Sequence, residues 1–299
     1  MQRLEQLQRK LKNAEDLRSV VHTMKIMSAV EIYQFEEAVE SLRDYFDTIE
    51  MGMQVVLKKV FEETPAPLFS TETEKEGWLI LGSGQGLCGS FDKVIADFIH
   101  QKKTEGANSR VQIYTCGERL GDLLMKDGFT IDKKFEMPGS VSGIIGLVLE
   151  LISGIEHWQM ELNIQTVRVF HNQPTQKRGF VPIFQNLLPP KTAWMNRIKE
   201  KKWPTNKLPQ FKIDSGVLFQ KLLRQYLFVS LYRAVAESLA AEYSSRLLAM
   251  QRAEQKIDER LEQLKQSYST ERQSAITEEL LDIIAGFEAI QSREKEIME

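Results

Sequence analysis

The residues whose types and spacing could do chemistry begin with the glycines of Gly84-Gln85-Gly86-Leu87-Cys88-Gly89. This stretch fits G-x-G-x-x-G and follows a short apolar run at 78–81, with a helical segment at 91–100 after it. In that position a glycine loop can bring backbone N–H groups and a helix N-terminus onto a pyrophosphate. A dinucleotide loop also needs an acidic residue ~20 positions further on to hold the ribose. Ser109 and Arg110 fall there instead, and Glu118 comes too late. The same glycines give Gly84-x-x-x-x-Gly89-Ser90, a P-loop without its lysine. The reading adopted is a structural turn at Gly86 and Gly89, where missing side chains let strand and helices approach closely. A nucleotide-binding enzyme using 84–89 stands as an alternative.

Other reactive groups point to no catalysis. Glu278, Glu279 and Asp282 near Arg272 suggest acid–base work, but charges at i to i+4 on a helix usually mark a solvated face. Cys88 and Cys116 are far apart, each beside a glycine, and read as small buried thiols in a reducing compartment. His22, His100, His157 and His171 do not cluster, so no metal site, cofactor site or catalytic residue is assigned. Residues 191–210 read as a basic linker loop, with Arg197, Lys199, Lys201 and Lys202 beside Trp194 and Trp203. Such a loop suits a membrane surface, an acidic partner or plain solvent. A net charge of −3 over 299 residues argues against general nucleic-acid binding. No apolar run approaches the ~20 residues of a bilayer span. The charged start Met1-Gln2-Arg3-Leu4-Glu5 lacks the apolar core of a secretory signal.

The elements that must position these groups are long helices at both ends and an α/β layer between them. Over 214–290 there is no proline, and glycine occurs only at Gly216 and Gly286. Val229, Tyr232, Ala236, Leu239, Tyr243, Leu247, Met250, Ile257, Leu261, Leu264 and Tyr268 make a three-and-four seam of the coiled-coil kind. About 75 residues at ~1.5 Å each reach roughly 110 Å, too long for one compact domain. Residues 2–60 continue the spacing through Leu4, Leu7, Leu11, Ala14, Leu17, Val21, Met24 and Met27, and Pro65 and Pro67 end that helix. Between them, strands are expected at 78–81, 111–114, 130–137 and 166–170, with helices at 91–100, 119–126 and 141–158. Residues 180–184 read as an edge strand, since Pro182 cannot donate to a central ladder. The fold class is α/β: an antiparallel coiled coil of N- and C-terminal helices attached to a central Rossmann-like domain. Its segments are 1–60, 77–190, 191–210 and 211–299. The longer last helix should overhang by roughly 20 residues, beginning near Tyr268. Ala234, Ala236, Ala240, Ala241, Ser244 and Ser245 form a small-sided face expected opposite Ser28 and Ala29.

Three ordered motifs carry a family resemblance. Met24-Lys25-Ile26-Met27-Ser28-Ala29 is similar to "MkMVsA", and Gly86-Leu87-Cys88-Gly89-Ser90-Phe91 to "GLCGgfN", with Asp92 where asparagine is usual. Tyr268-Ser269-Thr270-Glu271-Arg272-Gln273-Ser274-Ala275-Ile276-Thr277-Glu278-Glu279-Leu280 resembles "YNxxRQxxITxEL", and Glu242, Arg246 and Met250 match "EhxaRMxAM". The chain thus resembles the γ subunit of F-type ATP synthases, the central rotor stalk. Glu31, Leu247 and Ser269 depart from the family pattern, and "DNAxxNA" is lost around 251–257. These departures suggest a divergent branch, of an alternative ATPase operon type.

The resemblance implies a non-catalytic subunit turning inside a ring of α and β subunits, with an ε subunit beside it and its foot on the membrane c ring. It would couple ion flow to ATP synthesis or hydrolysis, peripherally, on the cytoplasmic face of the bacterial inner membrane. It also implies that Met24 and Arg246 face a moving loop of β. Arg272, Gln273, Thr277 and Glu279 would form a polar catch inside the ring. A coiled-coil tether with an α/β head is the other alternative, and it leaves the three ordered motifs unexplained.

Overall fold

The computed structural model describes residues 2–63, 75–105, 110–175, 179–190, 192–203 and 209–298. Pro65, Pro67, Ser109 and Pro204, on which some expectations rested, lie outside the described residues. The chain divides into two compact units, Met27–Leu247 and a second made of Met1–Ile26 with Leu248–Glu299.

In the larger unit, β1 (Lys75–Leu81), β2 (Arg110–Cys116), β3 (Lys133–Phe135), β4 (Thr166–Thr175) and β5 (Gly179–Leu188) form one sheet in the order β3-β2-β1-β4-β5. The first four run parallel, and β5 is an antiparallel edge strand with Pro182 opposite Asn172. β3 is shorter than the 130–137 expected. At Asp132 the N–H still donates to the Ile113 carbonyl at 2.9 Å, but the Ile113 N–H goes to the Asp132 carboxylate at 2.6 Å instead of to a strand carbonyl.

Helices α3 (Phe91–Glu105) and α4 (Glu118–Lys126) cover one face of the sheet, packing Ile95, Ile99, Leu120 and Leu124 against Trp78 and Ile80. α5 (Val141–Glu161) covers the other face. By length and composition α5 is apolar enough to cross a bilayer, contrary to the sequence reading. Ile144, Leu147, Val148, Leu151, Ile152 and Ile155 are buried against the sheet, as in a core helix. The strand order reverses between β1 and β4, and in open α/β sheets the crevice at the carboxyl ends beside such a reversal is where ligands bind.

The long N-terminal helix is interrupted. α1 (Gln2–Ser41) gives way at Leu42 to α2 (Arg43–Glu63). Ser41 Oγ donates to the Ala38 carbonyl at 2.9 Å, and the Leu42 N–H bonds back three residues to Val39. The break lets Phe35 and Ala38 join the α5 core while Ile49, Met53, Val56 and Leu57 build a separate cluster with Tyr226 and Val229.

A further correction concerns 191–210. Thr192–Glu200 is a helix, α6, not a loop. Its Ile198 is 1% exposed in the α2 cluster, and the Trp194 ring lies 4.7 Å from that of Tyr226.

α7 (Ser215–Met298) is one helix of 84 residues. In the smaller unit it runs antiparallel to α1, as Arg3–Glu271 (3.5 Å), Arg18–Asp258 (2.5 Å) and Lys25–Glu254 (2.5 Å) show by their falling register. The Arg3–Glu271 pair places the start of the overhang about one turn after Tyr268. The small-sided face of α7 also differs from expectation. Ala234, Ala236 and Ala240 join the core with α5 and the sheet, and Ala241 packs on Cys88 and Phe91; of the two residues expected opposite them, Ser28 is buried and Ala29 exposed.

Candidate functional site

The glycine-rich turn, α7 and the end of β4 meet at the strand-order reversal, and the chain itself fills that crevice. Leu87 and Gly89 both lie in the left-handed region, at φ 64° and 62°. At the start of the turn the N–H groups of Gly84 and Gln85 donate to the carboxylate of Glu242, at 2.9 and 3.2 Å. These are the donors a phosphate would require. A carboxylate of the same chain already occupies them, so 84–89 acts as a turn clamped on α7.

Arg246 completes the clamp. It is 2% exposed, donates to the Gly86 carbonyl at 3.3 Å and to the Gln85 carbonyl at 3.1 Å, and pairs with Glu242. Its guanidinium lies 4.6 Å from the Tyr243 ring centroid. Ser245 Oγ donates to the Cys88 carbonyl at 2.7 Å. Burial pushes the Glu242 carboxyl above its ordinary value, against the pull of Arg246 and the two N–H donors. On the strand side, the carboxylate of Asp92 accepts from Ser83 N at 2.8 Å and Ser83 Oγ at 2.6 Å. Burial, then Asp92, raises the Cys88 thiol, and burial raises that of Cys116, so neither is an activated nucleophile.

A second polar cluster on the same helix faces β4. Glu237 Oε2 lies 3.0 Å from His171 Nε2, and its other oxygen accepts from Arg233 Nε at 2.8 Å. Burial works to raise the Glu237 carboxyl, but the bonds from His171 and Arg233 win and hold it below the ordinary range. Both clusters bind α7 to the sheet. Among the described residues no group of His, Cys, Asp and Glu could hold a metal ion.

The expected contact residues are distributed unevenly. Met24 is half-buried on α1, in the smaller unit. Arg272, Gln273, Thr277 and Glu279 are exposed on α7 in that unit, with Thr277 Oγ1 donating to the Gln273 carbonyl at 2.9 Å. Arg246 belongs to the other unit and is buried; its Nε and Nη2 bond within the chain, while its Nη1 is buried without a hydrogen-bond partner. Of the two glycines expected at the turn, Gly89 stands in the left-handed region, and a Cβ on Gly86 would sit 2.6 Å from Arg119 Nη1, the movable tip of a side chain.

Comparison with known proteins completes the picture. A family model described as ATP synthase matches residues 3–290. The chain belongs to the ATP synthase family. Within this family it is 24% identical over 306 residues to the ATP synthase gamma chain of Rhizobium etli, covering 97% of this chain and 100% of that one. It is equally 24% identical over 290 residues to the gamma chain of Pasteurella multocida, covering 95% and 98%. Its fold resembles a chain of the Euglena gracilis mitochondrial ATP synthase OSCP/F1/c-ring structure, with a TM-score of 0.64 at 16% identity over 98% of this chain and 96% of that one. A chain of the Tetrahymena thermophila ATP synthase central stalk and c ring matches with a TM-score of 0.54 at 18% identity, over 78% and 99%.

For a member of this ATP synthase family, sequence reasoning named Glu242 only as part of a motif, without its clamp, and missed Glu237 altogether. Glu242 stands four residues before Arg246, a helical ion-pair spacing legible in the chain. That its carboxylate would also reach across 158 positions to Gly84 was not legible.

Proposed function

We propose that the chain is the γ-type central stalk of an F-type ATP synthase. It turns within a ring of α and β subunits, joins an ε subunit, and seats on a membrane c ring. It links ion flow to ATP synthesis or hydrolysis without performing bond chemistry, and in support the glycine loop at 84–89 is occupied by its own Glu242. It works peripherally, on the cytoplasmic face of a bacterial inner membrane.

The observation that carries this reading is a full-length family match whose distal helix presents an uncovered face. Beyond the last α1 partner, Ile276, Leu280, Leu281, Ile283 and Ile284 are about half exposed or more, at 48–60%. A contiguous apolar surface of this kind marks a contact site, and a surrounding ring would cover it. Met24, Arg272, Gln273, Thr277 and Glu279 are the polar contacts proposed with it. Arg246 contributes only through the turn it holds.

The test is co-purification of the chain with α and β subunits, and restoration of coupled ATP hydrolysis in a complex depleted of its own γ chain. A double variant, Gln273→Ala with Thr277→Ala, should assemble more weakly or lower coupled ATP synthesis severalfold. Unaltered assembly and synthesis in that variant would remove the catch assignment.

A further inference from the structure

We propose that Glu242, Ser245 and Arg246 form a torque key, a place where rotation passes between α7 and the α/β layer, beside the Glu237–His171 contact on the same helix. The inference rests on the central-stalk reading and says where, within the larger unit, a turning helix is held. A helix twisted about its axis is resisted differently by its two kinds of neighbour. Apolar side chains such as Ala236, Leu239 and Ala240 contribute burial without direction, and non-directional packing can slide in rotation. Hydrogen bonds weaken steeply as their distance and angle depart from the optimum, so they resist a twist from its first degrees.

On one turn of α7, such bonds converge on a single loop. Glu242 accepts from two consecutive backbone N–H groups, at 2.9 and 3.2 Å. Arg246 donates to two consecutive carbonyls, at 3.3 and 3.1 Å. Ser245 donates to the Cys88 carbonyl at 2.7 Å. All three side chains are nine-tenths buried or more, so water does not compete for these partners. Charge-assisted bonds of this kind are among the stronger ones a protein makes.

The loop is rigid as well. Asp92 at the start of α3 ties the Ser83 N–H and hydroxyl, and the Asn172 amide ties the Phe91 carbonyl at 3.2 Å. The 84–89 turn is therefore fixed to the sheet on one side and to the helix on the other. Ala241 supplies the close approach, packing on Cys88 and Phe91 where a larger side chain would hold the turn away. Leu87 and Gly89 of the same turn stand in the left-handed region. Glu242 and Ser245 are positioning residues: they touch no nucleotide and act through the turn.

The test uses the assembled membrane complex carrying Glu242→Gln, which keeps size but loses charge and one acceptor. Ions pumped per ATP hydrolysed should fall by at least half while the ATP hydrolysis rate stays near wild type. Hydrogen exchange at the Gly84 and Gln85 amides should quicken. A merely structural role would lower assembly and leave the ratio intact. Ser245→Ala removes a single bond and keeps the fold within reach, should Glu242→Gln fail to assemble; it should lower the same ratio by a smaller factor. Wild-type coupling ratios in both variants, with faster exchange at Gly84, would overturn the key alone. A wild-type chain that never couples to α and β would overturn the central-stalk reading and the key with it.

Discussion

Gly117 and Gly146 show how differently two glycines of one domain are constrained. Gly117 closes β2 at φ 92°, donating its N–H to the Phe135 carbonyl at 2.9 Å. A Cβ there would meet the Ser83 carbonyl oxygen at 2.3 Å, and backbone atoms cannot step aside as a side-chain tip can. Left-handed strain and overpacking act together, so Gly117→Ala should destabilise the chain by about 3 kcal/mol or more. Gly146 lies on the exposed side of α5 with nothing within 4 Å of a built Cβ. There alanine only removes unfolded-chain freedom and improves helix propensity, so Gly146→Ala should stabilise by about 0.5–1 kcal/mol. Chemical denaturation midpoints of the two variants should therefore move in opposite directions, and a wild-type midpoint for Gly117→Ala would show the clash to be wrong. At this scale the sequence was informative about type but not about reach. It offered Gly86 and Gly89 as turn residues because a dense run of glycines is a local signal. The neighbours that make Gly117 indispensable are Ser83 and Gly82, on the end of a different strand, and only the fold brings them close.

At the scale of elements, the long helices and the alternating middle were legible because period is a local property. α7 and the first part of α1 carry their three-and-four spacing in every window of residues. The break at Leu42 was not legible, since Ser41-Leu42-Arg43 contains neither proline nor glycine. α6 was hidden for another reason. Its lysines and the tryptophan–proline sequence after it resemble a solvated loop, while the groups that fix it lie on α2, far off in sequence. Glu50, 6% exposed, accepts from Trp194 Nε1 at 3.0 Å and Lys201 Nζ at 3.2 Å, with Arg197 Nη2 at 3.5 Å. Its one carboxylate thus gathers three side chains from α6 and the residue following it. Apolar packing of Ile198 holds the same helix independently. The two anchors separate by mutation. Glu50→Ala should cost about 1–2 kcal/mol, since Lys201 and Arg197 regain water, and should speed tryptic cleavage after Arg197 and Lys201. Ile198→Ala should cost about 2–4 kcal/mol by leaving a cavity against Ile49 and Met53. If Glu50→Ala left cleavage unchanged, packing alone would hold α6.

Across the whole molecule, the two units differ in how much they bury, and this sets what a partner must supply. Among the described residues of the smaller unit, the buried apolar side chains are Val21, Met250, Leu261 and Leu264. Of its cross-helix ion pairs, Arg18–Asp258 and Arg3–Glu271 are substantially exposed and contribute little each, while Lys25–Glu254 is the more buried one. The larger unit has a core on each sheet face and a further cluster around α2. Local stability follows buried apolar contact, and regions poor in it open first. Backbone amides of 3–26 and 248–286 should therefore exchange with solvent much faster than those of β1, β4 and α5 in the free chain. Raising salt should speed them further, because exposed pairs are screened. Binding α and β subunits reverses the argument for one segment. Ile276, Leu280, Leu281, Ile283 and Ile284 leave water only if a partner covers them, and burial of apolar surface is worth about 25 cal/mol per Å². Protection over 272–286 should rise at least tenfold in the assembled complex, while β1 and β4, already buried, should change little. Equal protection of 272–286 with and without α and β would mean that this face is not enclosed, and the proposed seat of the helix inside the ring would have to be given up.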